Sequence, residues 1–172
     1  HGVRRGWGAG LFPAAVADAA CNSTTEPTVV PSLVVGTYTL TTLRFDPTGS
    51  LPEVNVLPTL GEAPQLNLTA AGQAQIVFRD PVTTLVVTIN GTFRGTATGV
   101  RVEFPSESAY RQLLLSRRMD FNFSATAGTL SFAGDAPDGV QRARLVALVP
   151  DFAGEQLLDP TPGTLRVTFT RN

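Results

Sequence analysis

The chain has 172 residues, a formal net charge of −1 and only 16% charged residues, while 42% of its residues are hydrophobic, enough to build a core. All thirteen basic residues are arginines, and apart from Arg4-Arg5, Arg117-Arg118 and Arg142/Arg144 they are scattered, so there is no basic stripe of the kind that binds nucleic acid. One histidine (His1), one cysteine (Cys21) and no lysine leave the body of the chain without the groups for a Ser-His-Asp triad, a Cys-His dyad, a Schiff base, a Cys/His zinc site or an internal disulfide.

Residues 1–21 run from Arg4-Arg5 through a Gly/Ala-rich apolar stretch, Trp7 to Ala20, to Cys21. With the small residues Ala19 and Ala20 before the cysteine, this layout resembles a bacterial export signal ending at a lipoprotein cysteine, although Asp18 replaces the usual leucine-like residue. No apolar run reaches the ~20 residues that a spanning helix needs. The segment is therefore expected to anchor the chain at a membrane interface or on a partner, through Trp7, Leu11 and Phe12, with Cys21 as a lipid attachment point. Residues 22–33 are rich in Ser, Thr and Pro and read as an extended linker.

Residues 34–172 form the folded domain. β-branched and aromatic residues alternate with polar ones between Gly, Pro, Asp and Asn turns, which predicts strands over 34–45, 53–57, 65–69, 73–78, 84–93 and 96–104. In the fifth of these, Leu85, Val87 and Ile89 share one face, and Asn90-Gly91 and Gly95 suggest a bulge or turn. After Pro105 the period changes: Ser106 reads as an N-cap, and Tyr110, Leu113 and Leu114 form the apolar face of the one expected helix, ending near Arg118. Strands resume over 119–125, 128–133, 141–149 and 164–170, with 141–149 apolar on both faces and so central or covered. The fold class is all-β: an antiparallel barrel or sandwich of about nine or ten strands with one short mid-chain helix.

Candidate sites are few. Asp135 and Asp138 in Gly134–Gly139 supply two carboxylates, too few for calcium and good turn chemistry. Glu103 with Glu107, or Asp120 with Asp135, are the carboxylate pairs a glycosidase would draw on, but nothing in the sequence sets either across a cleft. Phe121, Phe123, Leu130 and Phe132 gather aromatic bulk on adjacent strands; this is core, or in a barrel the lining of a lipid or pigment pocket completed by Tyr38. No metal or cofactor is expected.

Gly36-Thr37-Tyr38-Thr39-Leu40 opens the first strong strand. Together with the cysteine-linker layout it resembles the opening of lipocalin-like bacterial lipoproteins. The resemblance implies that Tyr38 stands in for a tryptophan that closes one barrel end, beneath an arginine from a late strand, for which Arg144 and Arg166 are the candidates. Three functions follow. The first is a non-catalytic structural or accessory subunit on the periplasmic or cell-surface face of a membrane-bound protein complex, a photosynthetic reaction-centre complex being one host that fits. The second is a lipocalin-like carrier of an apolar small molecule, and the third a carboxylate-dependent hydrolase.

Overall fold

Alternating apolar and polar residues give each strand one face to bury, and an antiparallel sheet curled on itself buries all of those faces at once. The computed structural model describes residues 29–104, 111–136 and 138–172. Among them are a short helix α1 (Pro31–Val34) and the strands β1 (Gly36–Pro47), β2 (Val54–Asn55), β3 (Gln65–Leu68), β4 (Gln73–Arg79) and β5 (Val86–Gly95). They are followed by β6 (Gly99–Glu103), β7 (Arg118–Ser124), β8 (Thr129–Asp135), helix α2 (Arg142–Leu148) and β9 (Gly163–Arg171). Short 3-10 turns lie at Leu57–Leu60, Arg111–Leu113 and Pro150–Phe152.

Eight strands close into an antiparallel barrel in the order β1-β3-β4-β5-β6-β7-β8-β9, with β9 pairing back onto β1 from Tyr38↔Arg171 to Pro47↔Gly163. The two-residue β2 flanks the far half of β1, at Phe45↔Val54, while β3 flanks its near half, at Gly36↔Leu68. The sequence thus specifies the barrel rather than the sandwich through this one long strand, which carries partners along both edges. A bulge between Leu40 and Thr42 changes the side-chain parity, so that Tyr38 and Leu40 before it and Leu43 and Phe45 after it all face the core.

Those four residues are at most 1% exposed, and Leu66, Ile76, Ile89, Val100, Val102, Met119, Leu130, Leu165, Val167 and Phe169 join them in one continuous core. Eight strands enclose a space that side chains can fill, and here they pack it with aromatic and branched residues; Phe121 meets Phe169 edge-on at 5.9 Å. Close strand approach needs glycine at several points, two of them at the ends of β6. A Cβ on Gly99 would strike the Phe121 carbonyl, and one on Gly91 would strike the Glu103 carbonyl and the Phe104 ring. Asn90-Gly91 is therefore no turn: β5 runs through it in register with β4, and the chain reverses only after Gly95.

The structure corrects the sequence reading elsewhere. Residues 141–149, expected as a strand, contain α2, with Leu145 and Leu148 buried one helical step apart. A short run that is apolar on both sides does not discriminate a covered strand from a helix packed along one side. Of the helix expected over 106–118, residues 105–110 lie outside the described set. Its later part is a 3-10 turn, Arg111–Leu113, followed by Leu114 at φ 57°, and by Arg118 the chain is already in β7. Leu85, expected within this strand on one face with Val87 and Ile89, precedes β5 and is 65% exposed, while Ile89 is buried.

Because the barrel is filled, truncating Phe169 to alanine leaves a void that the closed sheet cannot collapse around. Phe169→Ala is expected to cost about 3–5 kcal/mol, seen as a lower denaturant midpoint at unchanged slope.

Candidate functional site

Barrel closure divides the molecule into two differently built ends. The upper end carries the start of β1, the end of β9 and the tight turns after β3, β5 and β7. The lower end carries the longer connections. Among the described residues, three features stand out: the plug of the upper end, the latch of the lower end, and a cleft between β6 and β7.

At the upper end, α1 turns across the barrel mouth and Val34 is fully buried. The Tyr38 hydroxyl donates to the Val34 carbonyl at 2.7 Å. The arginine over Tyr38 is Arg171, the last residue of β9. Its Nη2 donates to the Leu33 carbonyl at 2.6 Å and to the Tyr38 hydroxyl at 2.7 Å, while its guanidinium lies 5.2 Å from the Tyr38 ring centroid and 5.7 Å from that of Phe123. The sequence reading offered Arg144 and Arg166 for this place. Instead Arg166 is on the outside near Glu53, at 3.8 Å, and Arg144 is at the opposite end of the barrel. Residues 29–33, expected to belong to an extended linker, are part of this plug: Val29 N–H donates to the Thr96 carbonyl, and Pro31–Leu33 are helical.

At the lower end, the buried Asp80 carboxylate accepts from the Val82 N–H at 2.8 Å and from Arg144 Nη2 at 3.0 Å. Arg144, its side chain 11% exposed, donates through Nε to the Gln112 carbonyl. One guanidinium thereby ties α2 to the β4–β5 hairpin and to the β6–β7 connection. Around it Leu113, Leu114, Leu115, Leu145, Leu148 and Phe152 pack into the barrel core. Burial pushes the Asp80 carboxyl up, but the Val82 N–H and the Arg144 guanidinium together outweigh that, and its pKa lies below the usual carboxylate value.

Where β6 ends and β7 begins, a cleft of about 660 Å³ opens, lined by Thr92, Glu103, Phe104, Arg117, Arg118, Asp120, Phe132 and Asp138. Its volume suits a small organic ligand. Much of its charge is internally balanced. Arg101 forks onto Asp120, one bond being 2.7 Å, which holds that carboxylate below its usual pKa; Arg118 faces Glu103 at 4.0 Å; and Asp138 accepts the Arg117 N–H. A carboxylate held ionised by a forked arginine is a poor proton donor, so Asp120 does not fit the acid role in a glycosidase.

The expected pocket residues are spread through the barrel rather than gathered around one space. Tyr38 lies in the upper plug, Phe123 beneath Arg171, and Phe121 in the core between Phe132 and Phe169. Of these, only Phe132 lines the described cleft. The expected anchoring residues Trp7, Leu11, Phe12 and Cys21 lie outside the described residues, as does Glu107 of the carboxylate pairs. The sequence reading missed Arg171, whose signal was its position on the last strand, in line with Tyr38. Asp80 was missed as well, because an Asp-Pro step after a strand reads as ordinary turn chemistry. No family model matches the chain, and neither a curated protein nor a solved structure matches it.

Two outcomes follow from the latch and the plug. Because the folded Asp80 pKa is lowered, its contribution is complete above the unfolded value of about 3.9 and fades as pH falls through the folded value. Asp80→Asn is expected to cost about 3–5 kcal/mol at neutral pH by stranding Arg144, and to flatten the acid limb of stability against pH, measured by denaturation from pH 7 to 2. Arg171→Gln removes the cation over Tyr38 and is expected to cost about 1–2 kcal/mol, with amide exchange rising first at Leu33 and Val34.

Proposed function

We propose that this chain is a non-catalytic accessory domain that works on the extracytoplasmic side of a membrane, attached to a membrane-bound protein assembly, with its barrel serving as a rigid body rather than as a container. The observation that carries this reading is the filled interior. From Tyr38 at the upper end to Phe45 and Leu165 at the lower, the inward positions of β1 and β9 are occupied by side chains at most 1% exposed. A solid barrel works through its surface and its ends. Attachment falls to the N-terminal segment, with Trp7, Leu11 and Phe12 as contacts and Cys21 as a lipid anchor. A photosynthetic reaction-centre complex is one host compatible with this arrangement.

A second reading, a lipocalin-like carrier of an apolar small molecule, draws on two observations. Gly36-Thr37-Tyr38 lies under an arginine of the last strand, and the lower cleft combines the Phe104 and Phe132 rings with arginines suited to an acidic headgroup. Such a ligand would sit beside the lower mouth, not in the barrel centre.

Native mass spectrometry of the protein released in mild detergent from its source membranes separates the two. The accessory role is expected to give a larger assembly at fixed stoichiometry. A free chain carrying a small-molecule adduct would overturn it in favour of the carrier.

A further inference from the structure

The β4–β5 hairpin exposes a cluster of large apolar side chains. Val82, Leu85 and Val86 are 56%, 65% and 61% exposed, and every residue from Pro81 to Val86 is exposed, so the tip projects from the lower end as a convex knob. The other large exposed apolar residues described are Val30 and Leu33, which adjoin the chain's first 28 residues, and Leu158, which stands apart from them.

The tip is held in shape. Asp80 N–H donates to the Leu85 carbonyl and Thr84 N–H to the Asp80 carbonyl, each at 2.8 Å, and Arg79 Nη1 donates to the Thr84 carbonyl at 2.8 Å. Thr84 sits at φ 60°, a left-handed conformation disfavoured for a β-branched residue, so the hairpin maintains backbone strain while presenting these side chains to solvent.

Its charge pattern narrows the occupant. No charged residue occurs from Pro81 to Phe93. The one carboxylate at the base, Asp80, is turned inward onto Arg144, and the exposed Arg79 is balanced by Glu62 at 3.8 Å. The tip is thus apolar and hydroxyl-bearing on a neutral collar. A knob of three side chains is far smaller than the ~800 Å² per partner of a standard protein interface. It does fit the headgroup–acyl boundary of a bilayer, which takes up small convex apolar groups without a matching pocket.

We propose that Val82, Leu85 and Val86 form a membrane-interface tip that dips into the lipid surface, giving the domain a second, reversible contact with the bilayer. This rests on the reading that the chain works at a membrane, and it adds the lower end as a lipid-facing surface.

The test uses the full chain carrying Trp7→Phe, which removes the one native tryptophan, with Leu85→Trp as reporter. Vesicles of phosphatidylcholine, plain or brominated high on the acyl chain, are the probe. The expected result is a blue-shifted emission, quenched roughly twofold or more by the brominated lipid and unchanged by salt or by added anionic lipid, because the collar is neutral. The same reporter at Thr126, in the upper turn after β7, stays unquenched. Serine at Val82 and Val86 beside the Leu85→Trp reporter is expected to lower the bromine quenching by about twofold without changing the unfolding midpoint, since the side chains removed are exposed. Solvent-like emission from Leu85→Trp in the presence of vesicles overturns the proposal, as does quenching at Thr126 alone. Protection of the tip only within a protein assembly, with no bromine quenching, overturns it while leaving the accessory role standing. Quenching with no assembly in the mass spectrum does the reverse.

Discussion

Closure of β9 onto β1 is the constraint from which the rest of the structure follows. Once the sheet is shut, every inward side chain competes for one fixed volume, and every strand must keep its register over its full length. The 12-residue β1 makes this work. It is long enough to hold β9 along one edge while β3 and β2 share the other, and its bulge resets the parity so that both halves aim inward. Without the bulge, Leu43 and Phe45 would face solvent and the lower half of the core would lose the Phe45 ring.

Among the described residues the eight barrel strands pair all the way round and their inward side chains are buried, so what distinguishes this protein is sought at its ends and on its outer face. The two ends are closed by different physics. At the top, an arginine that remains partly solvated spreads over two aromatic rings and donates to the backbone of the crossing helix; it orders several groups while keeping much of its hydration. At the bottom, Arg144 is almost wholly buried against Asp80, and such a pair adds little net stability over apolar packing. What it provides is geometry, because a single guanidinium fixes the relative positions of a hairpin, a helix and a loop. The shape of the projecting β4–β5 tip depends on that geometry, since the carboxylate that accepts from Arg144 also accepts the Val82 N–H that starts the turn.

Most of the barrel was legible in the sequence because its signal is local. Period-two alternation in 73–78, 96–104 and 164–170 is a property of neighbouring residues, and burial on one face follows wherever the strand goes. The bounds of β3, β4 and β9 differ from the reading by one residue at each displaced end. The failures are non-local. Residues 141–149 are apolar because they cover the lower mouth, and only knowledge of that mouth distinguishes a covering helix from a central strand. The partner of Tyr38 could not be chosen among the late arginines without the β1–β9 register, which places Arg171 directly opposite Tyr38. Leu85 extends an apolar alternation with Val87 and Ile89, yet the turn imposed by Asp80 ends the strand one residue after it. Here a side-chain hydrogen bond overrode periodicity.

That last case bears on how the site was missed. An alternating pattern normally means that apolar residues are hidden, and the alternation groups Leu85 with Val87 and Ile89 on one face. In the structure the pattern continues past the point where the barrel can accept it, because the lower mouth is already occupied by Leu113, Leu114, Leu145 and Phe152. The filling of the lower mouth and the exposed tip are thus two sides of one packing arrangement. Apolar residues of the β6–β7 and β8–β9 connections fill the mouth, and the apolar residues of the β4–β5 hairpin stand outside it. Arg144, donating to Asp80 on one side and to Gln112 on the other, holds that division in place. A chain that merely needed a closed barrel would carry Thr or Asn at 82, 85 and 86, as this one does along the outer faces of β3 and β5. Leucine and valine there, on a turn held by a buried ion pair, assign the lower end a contact that the barrel itself does not require.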